Sequence, residues 1–568
     1  MPAHLSPPPP STPRRRPYPA LFGILLGCTG PHPARPGSGA DAEALALAPL
    51  PAEENPGAAV EVEFIPFGDC AVGPAAPDTF ARANPGPDWA MQPAGVADDR
   101  AGWGLAVDDF DGDGHLDVFL PEFGQGQLFL GDGAGGLRAA HERLPPLPEP
   151  GMSASAADLD SDGDPDLVIG NSGAPNTVLI NEGGWFQRQT APESTWGTAP
   201  VGLGTQSQTI GDIDGDSILD VVFATFYAPE AVPEPDIHPN TAFVGDGAGC
   251  FTPSPNGLPA DAVYTPANTA GLIDFNEDGA LDLFVINDKP AEFTAQVYEG
   301  DGQGRFRSLP AELGLRVPIQ GMGLAEGDLN GDGAMDYAIT GWDEIAVLLS
   351  DGRGGWAESS LALGVVAREG APVGWGLDFE DIDLDGDLDI VVANGPEYDV
   401  YGRIGRGPIP NPPVQPWAVF VQGSDGAFTE AADALGLGAV GRRRGFVFAD
   451  LDEDGQPELI ARELAGGAAE VWAPACRAEA ALEVRLEDPG GNRRAIGAQL
   501  ELQVDGRRMK RAIRASTTNI ASSGPPIARF GLGLQPGPAE LTVRWPDGER
   551  TVITDVPTDG VLTLRRAP

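Results

Sequence analysis

Asp109-Phe110-Asp111-Gly112-Asp113-Gly114-His115-Leu116-Asp117 decides the fold of this chain, because its pattern returns six more times. Carboxylates stand at the first, third, fifth and ninth positions, and glycine at the sixth permits a sharp turn. Four acids this close repel one another unless a cation neutralises them, and an all-oxygen set suits a hard ion such as Ca²⁺. An EF-hand would add a bidentate Glu at position 12 and an exiting helix; here Val118-Phe119-Leu120-Pro121 follows, which predicts a strand. The stretch reads as a cation loop between two β-strands.

The second copy carries Asp158, Asp160, Asp162, Gly163 and Asp166, and the third Asp212, Asp214, Asp216 and Asp220, with Ser217 in the glycine position. The fourth has Asp274, Asn276, Asp278, Gly279 and Asp282, and the fifth Asp328, Asn330, Asp332, Gly333 and Asp336. The sixth has Asp381, Asp383, Asp385, Gly386 and Asp389; the seventh has Asp450, Asp452, Asp454 and Gly455 and ends in Glu458. Successive first aspartates lie 49 to 69 residues apart, so one supersecondary unit is repeated, with insertions in some copies.

Each unit shares a grammar. A short strand such as Trp103–Val107 precedes the loop, an apolar strand follows it, and a third strand such as Gln127–Leu130 leads into a tight turn, Gly131-Asp132-Gly133-Ala134-Gly135. Asp-Gly pairs between apolar runs are hairpin signals. Four strands per unit and seven units predict an all-β, seven-bladed β-propeller over residues 59–475, with an open solenoid as the alternative. Phe129, Phe306, Trp356 and Phe428 stand at strand positions and are expected to pack between blades. The seventh unit has only two clear strands after its loop, and Val60–Ile65 alternates, so this N-terminal segment is expected to supply the missing outer strand.

The Asp-x-Asp/Asn-x-Asp-Gly-x-x-Asp pattern followed by an apolar strand resembles the FG-GAP/VCBS repeats, the propeller repeats also found in integrin α-subunits. The resemblance implies Ca²⁺ held by the side chains at positions 1, 3, 5 and 9. It adds the backbone carbonyl of position 7, here His115, Asp164, Ile218, Ala280, Ala334, Asp387 and Gln456. Up to seven Ca²⁺ ions are implied. Ser217 lacks glycine's freedom and Glu458 is one methylene longer, so the third and seventh loops depart from the pattern.

Composition shifts after the repeats. Between Leu482 and Pro568 there are 13 Lys/Arg against 10 Asp/Glu, with strand-like runs at Ala481–Leu486, Gln499–Val504, Leu541–Trp545 and Val561–Leu564. Residues 478–568 therefore read as a small β domain. Asn492–Gly497, Arg529-Phe530-Gly531-Leu532-Gly533 and Val543-Arg544-Trp545-Pro546-Asp547-Gly548 resemble the ASPIC/UnbV domain, which follows such repeats in cartilage-acidic-protein-like proteins. Ser516-Thr517-Thr518-Asn519 departs from that family's usual run.

At the start, Arg14-Arg15-Arg16 precedes an apolar run ending Leu25-Leu26-Gly27-Cys28, which resembles a bacterial lipoprotein signal over residues 1–28 with lipid on Cys28. Residues 29–58 are rich in Pro, Ala and Gly and read as a spacer. These features place the protein outside the cytoplasm, as an outer-membrane lipoprotein, at the cell surface or secreted. Cys70 and Cys476 flank the repeats and are the preferred disulfide pair, with unpaired thiols as the alternative. A formal charge of −49 argues against nucleic acid as a partner and leaves a lipid at Cys28 as the only membrane contact.

In a propeller the cation loops gather on one face. The long insertions Tyr227–Asn240 and Gly395–Gln415 are expected on the other, where their aromatics and prolines suit protein or glycan recognition. His4, His32, His115, His141 and His238 form no metal-ligand spacing, and no nucleophile elbow or phosphate-cradling loop occurs. The reading is a calcium-binding adhesion or interaction scaffold rather than an enzyme. A glycan-binding lectin and an enzyme acting on polysaccharide are the alternatives.

Overall fold

The structure, a computed structural model, describes residues 60–567 except 69–78, 87–88, 90–101, 123, 125, 190–203, 227–238, 264, 289–293, 369–371, 397–413, 465–468, 478, 516–519 and 535. Nine four-stranded sheets account for its strands. Seven of them are blades of a β-propeller, each built as an antiparallel meander. The first blade is Ala106–Asp108, Asp117–Leu120, Gln127–Gly131 and Leu137–Ala139, with the acidic loop between its first two strands. Blades two to six repeat this over 151–188, 204–253, 267–308, 324–358 and 374–430.

The seventh blade closes the ring in a way that differs from the expectation. Its inner strands are Arg443–Ala449, Glu458–Glu463 and Glu470–Pro474, and its outer strand is Phe80–Ala83, paired antiparallel to Glu470–Pro474. Val60–Pro66, the segment expected there, instead pairs with Gly560–Arg566 at the other end of the chain. The reason lies in the side chains. Phe80 drops into the cluster of Trp417, Phe446 and Trp472 between blades six and seven, an anchor that the charged, half-exposed Val60–Pro66 strand does not offer.

Apolar clusters sit at every blade junction. Leu105, Val118 and Phe129 of the first blade pack on Val447, Ile460 and Val471 of the seventh, which completes the circle. Phe129, Trp356 and Phe428 are buried within such clusters, and Phe306 packs against one. Burying one such aromatic removes enough apolar surface to contribute about 1.5–3 kcal/mol. Near the axis, where seven strands converge, polar side chains bridge neighbouring blades: Ser153 Oγ donates to Gln208 Oε1 at 2.7 Å across blades two and three. The Arg444 guanidinium lies 3.7 and 3.4 Å from the ring centres of Trp103 and Trp375.

The remaining two sheets form a β-sandwich. One contains Val60–Pro66, Gly560–Arg566, Ala480–Glu487 and Ile527–Gly533; the other contains Arg507–Ala512, Gln499–Val504, Ala539–Arg544 and Arg550–Val556. Phe530, Trp545, Leu500 and Leu541 fill its core. This sandwich sits on the acidic-loop face of the propeller and sends a segment into the central channel. Ser523 N–H donates to Leu105 carbonyl and Val107 N–H to Ser523 carbonyl, both at 2.9 Å. Ile520 and Ala521 join Trp103, Met152, Met322 and Trp375 in the channel core.

Both long insertions fall between second and third strands, as expected, but 227–238 and 397–413 lie outside the described residues. Their roots are fixed by buried amides: Asn240 Nδ2 donates to Ala262 carbonyl at 2.7 Å, and Gln415 Oε1 accepts from Val373 N–H at 2.9 Å. Cys250 and Cys476 are both disulfide-bonded, while Cys28 and Cys70 lie outside the described residues. The leader and spacer lie outside them too.

Candidate metal centre

Each acidic loop is held by its own carboxylates before any cation is considered. The first aspartate caps the turn: Asp109 Oδ2 accepts the Gly114 amide at 2.9 Å, and Asp158, Asp212, Asp274, Asp328, Asp381 and Asp450 accept from the sixth position in the same way. The fifth carboxylate accepts the seventh amide, as Asp113 does from His115 at 3.0 Å and Asp454 from Gln456 at 2.9 Å. This fixes the peptide plane at the position whose carbonyl is expected to face a cation.

The ninth carboxylate ties the loop to the blade. Asp117 Oδ2 accepts from Phe110 N–H at 2.9 Å, and its Oδ1 accepts from Gly131 N–H of the third strand at 2.8 Å. Asp166, Asp220, Asp282, Asp336 and Asp389 repeat both bonds. Glu458 keeps the bond from Leu451 at 2.8 Å.

These bonds bring carboxylates together. Asp109, Asp111 and Asp117 each offer an oxygen within 4.8 Å of the others, as do Asp158, Asp160 and Asp166, and Asp212, Asp214 and Asp220. Asp381, Asp383 and Asp385 do so in the sixth loop, and Asp450, Asp452 and Glu458 in the seventh. In the fourth and fifth loops Asn276 and Asn330 replace the third acid, and each donates to the fifth carboxylate at 3.0 Å. The departures at Ser217 and Glu458 leave their loops intact: Ser217 adopts φ 68° and still donates to Asp212 at 2.8 Å.

The electrostatics are those of a site built for a cation. Burial pushes Asp117, Asp166 and Asp220 up to about 8, with neighbouring loop acids adding to the shift against the backbone donors. Burial raises Asp282, Asp389 and Glu458 well above the usual range. Asp111 Oδ1, Asp381 Oδ1 and Asp452 Oδ1 are buried with no hydrogen-bond donor among the described residues. A buried, donor-free carboxylate oxygen costs several kcal/mol unless a cation faces it. The donor set therefore fits a hard metal ion.

Sequence reasoning missed two things. The sandwich covers the loop face, and Arg493 Nε, Arg544 Nη1 and Lys510 Nζ reach Asp158 (3.8 Å), Asp274 (3.3 Å) and Glu277 of the loops. The signal was the basic excess after Leu482, which read only as a change of domain. The loops also interlock: Gly135, Gly249 and Gly304, from the last turns of blades one, three and four, donate to the second-position carbonyls Leu451, Leu159 and Ile213 of the preceding blade's loop.

A ring of seven blades with an acidic loop in each, capped by a β-sandwich, defines an acidic-loop repeat propeller. FG-GAP-like repeats match residues 109–169, 158–223, 274–339 and 328–392, and ASPIC and UnbV matches 488–568. The chain belongs to the FG-GAP-like repeat propellers with a C-terminal ASPIC/UnbV domain. No curated relative matches the chain. Similar solved structures include an Agrocybe aegerita lectin specific for non-reducing terminal N-acetylglucosamine, 16% identical over 58% of this chain and 79% of that one, TM-score 0.36. YCF48 bound to a D1 peptide is 10% identical over 71% and 99%, TM-score 0.39. The exotype rhamnogalacturonan lyase YesX is 11% identical over 73% and 76%, TM-score 0.35. Likenesses this distant carry nothing about function.

Proposed function

We propose that this protein is an exported, calcium-binding propeller that serves as an interaction and adhesion scaffold at the cell surface. The observation that carries it is the set of partly buried carboxylate clusters repeated around one rim, with donor-free oxygens at Asp111, Asp381 and Asp452. Ca²⁺ is the ion favoured, because it accepts many oxygen ligands in an adaptable geometry, whereas Mg²⁺ demands a near-ideal octahedron. Positions 1, 3, 5 and 9 would hold it with the position 7 carbonyl, and bound ions would neutralise and stiffen the loops. Weak oxygen-ligand sites suit a compartment where calcium is plentiful, in keeping with export and lipid attachment at Cys28.

The loop face is occupied by the protein's own sandwich, so a protein or glycan partner would meet the opposite face, where both long insertions are rooted. The clustered acids lie in the loops with spacing that suits a cation, so the reading is non-enzymatic. The test is a thermal melt with excess Ca²⁺, with Mg²⁺ and with chelator, alongside a count of bound metal. A ligand that binds only the native state must raise its stability. A Ca²⁺-selective rise with about five to seven ions bound supports the reading. No shift and no bound calcium overturns it.

A further inference from the structure

The fourth loop position is left-handed in every copy, and its occupants divide the blades into two groups. Gly112, Gly215 and Gly331 fill it in blades one, three and five, at φ 73°, 76° and 68°. Blades two, four, six and seven place Ser161, Glu277, Leu384 and Glu453 there, at φ 65°, 59°, 56° and 60°. An L side chain in this conformation costs on the order of 1–2 kcal/mol, which glycine avoids. Glu453 meets His115 of the first loop and accepts the Gly68 amide, whereas Ser161, Glu277 and Leu384 touch the body of the sandwich. Ser161 Oγ donates to Gly491 carbonyl at 3.1 Å, Lys510 pairs with Glu277, and Gly533 N–H donates to Leu384 carbonyl at 2.9 Å.

The approach at the sixth loop is close enough to dictate sequence. A Cβ on Gly531 would lie 2.0 Å from Asp381 Oδ2 and 2.6 Å from Leu384 Cα. Arg507 donates to Asp385 carbonyl, so the sandwich reads the folded backbone of this loop. At the fourth loop Arg544 takes Asp274 Oδ2, the oxygen that also accepts the Gly279 amide. Asp274 Oδ1 accepts the Asp278 amide within the loop at 3.0 Å and, among the described residues, accepts no hydrogen bond from the sandwich. Arg544 thus acts as an outer partner that orients a first-position carboxylate rather than competing for it.

We propose that the C-terminal sandwich is a cation-set clasp: metal bound in blades two, four and six fixes the fourth-position residues that hold it on the propeller. This rests on the cation reading of the loops. Without the ion the clustered carboxylates repel, the turn loosens, and the Ser161, Glu277 and Leu384 contacts lose their geometry together. Coupling is reciprocal, so a docked sandwich tightens the three sites beneath it.

Hydrogen exchange of the full-length protein, with bound metal counted at limiting Ca²⁺, tests this. The matched variants are Asp278→Asn in the fourth loop and Asp113→Asn in the first, whose Gly112 faces open space. Each is expected to lose one bound ion. Only Asp278→Asn should speed exchange at the Gly533 and Ser523 amides, by about tenfold or more, as for a local opening. If both lose an ion and these amides exchange as in the parent, or equally fast in both variants, the clasp is wrong and the metal sites stand. If neither loses an ion, the cation reading falls and the clasp with it. A second variant, Gly531→Ala, adds a methyl that a strand accepts but the docked interface does not. It should undock the sandwich and weaken Ca²⁺ binding at three sites; unchanged exchange and binding would overturn the proposal.

Discussion

His115 Nδ1 lies 2.6 Å from Glu453 Oε1, so the first and seventh acidic loops, 338 residues apart in sequence, are joined where the ring closes. The Glu453 hydrogen bond raises the His115 pKa above its ordinary value of 6.5. A raised histidine contributes stability that is fully present below its unfolded value and lost as pH rises through the folded one. The pair is partly exposed, so its worth is modest, about 0.2–1 kcal/mol. His115→Gln should lower the melting temperature at about pH 6 and leave it unchanged at about pH 9. An equal drop at both values would contradict the pairing.

The metal-free protein should respond to pH in the opposite sense from an ordinary acidic protein. Asp117, Asp166 and Asp220 are raised to about 8 from an ordinary 3.8. The native state then holds protons that the unfolded chain releases, so stability falls as pH rises between these values. In chelator, melting should occur at lower temperature near pH 8 than near pH 5.5. Added Ca²⁺ must displace those protons, so its stabilising effect should grow with pH. A chelated protein whose melting is flat across this range would refute the prediction.

Asp166 accepts Leu159 N–H at 2.8 Å and Asn181 N–H at 2.7 Å, one on each oxygen. Asn at this position offers one acceptor and turns an amino group towards the second donor. Asp166→Asn should cost about 1–3 kcal/mol in denaturant titration even in chelator, because a buried amide is left unpaired. In Ca²⁺ it should also lose one bound ion. A loss seen only in Ca²⁺ would show that the two backbone bonds contribute little.

Ser217 occupies a left-handed position that glycine fills in the other six loops. Ser217→Gly should therefore raise stability by about 1 kcal/mol, with the metal count unchanged. A neutral or destabilising outcome in a urea melt would mean that the loop has relaxed around serine.

Two truncations should separate the two N-terminal strands. Removing residues through 67 deletes only Val60–Pro66, an edge of the sandwich, and should spare the propeller. Removing residues through 84 also deletes Phe80–Ala83 and the 2.6 Å Arg82–Glu470 pair, and bares the edge of Glu470–Pro474. Loss of the buried Phe80 ring alone should cost about 3–5 kcal/mol, and an open strand edge should promote aggregation. Light scattering of the two truncated proteins distinguishes the cases.

Much of this architecture was legible because a nine-residue motif fixes both a turn and the strand after it. Gln127–Gly131 and Gln499–Val504 fall where alternation and Asp-Gly turns put them. Arg507–Ala512, Ile527–Gly533 and Arg550–Val556 were not read as strands, since charges and glycines interrupt their alternation and tertiary pairing decides them. The exchange of roles between Val60–Pro66 and Phe80–Ala83 was hidden for a related reason. Pattern identifies a strand, but its partner is chosen by the packing of one ring, Phe80, in a cluster assembled from distant segments. Docking of the sandwich on the loops depends on residues such as Gly531 and Lys510, whose role appears only once two domains face each other.

The pairing of Val60 with Arg566 and of Phe80 with Pro474 bears on how the protein is made. Both N-terminal strands wait for partners made far later: blade seven stays open until Glu470–Pro474 is made, and the sandwich until Gly560–Arg566. Such long closures fold slowly and leave strand edges open during assembly. A chain released after Pro474 but before its final strand would carry a closed ring and a sandwich that lacks Gly560–Arg566. The ring is therefore sealed before its cover is complete, and Gly560–Arg566 finishes only the sandwich that lies over the acidic loops.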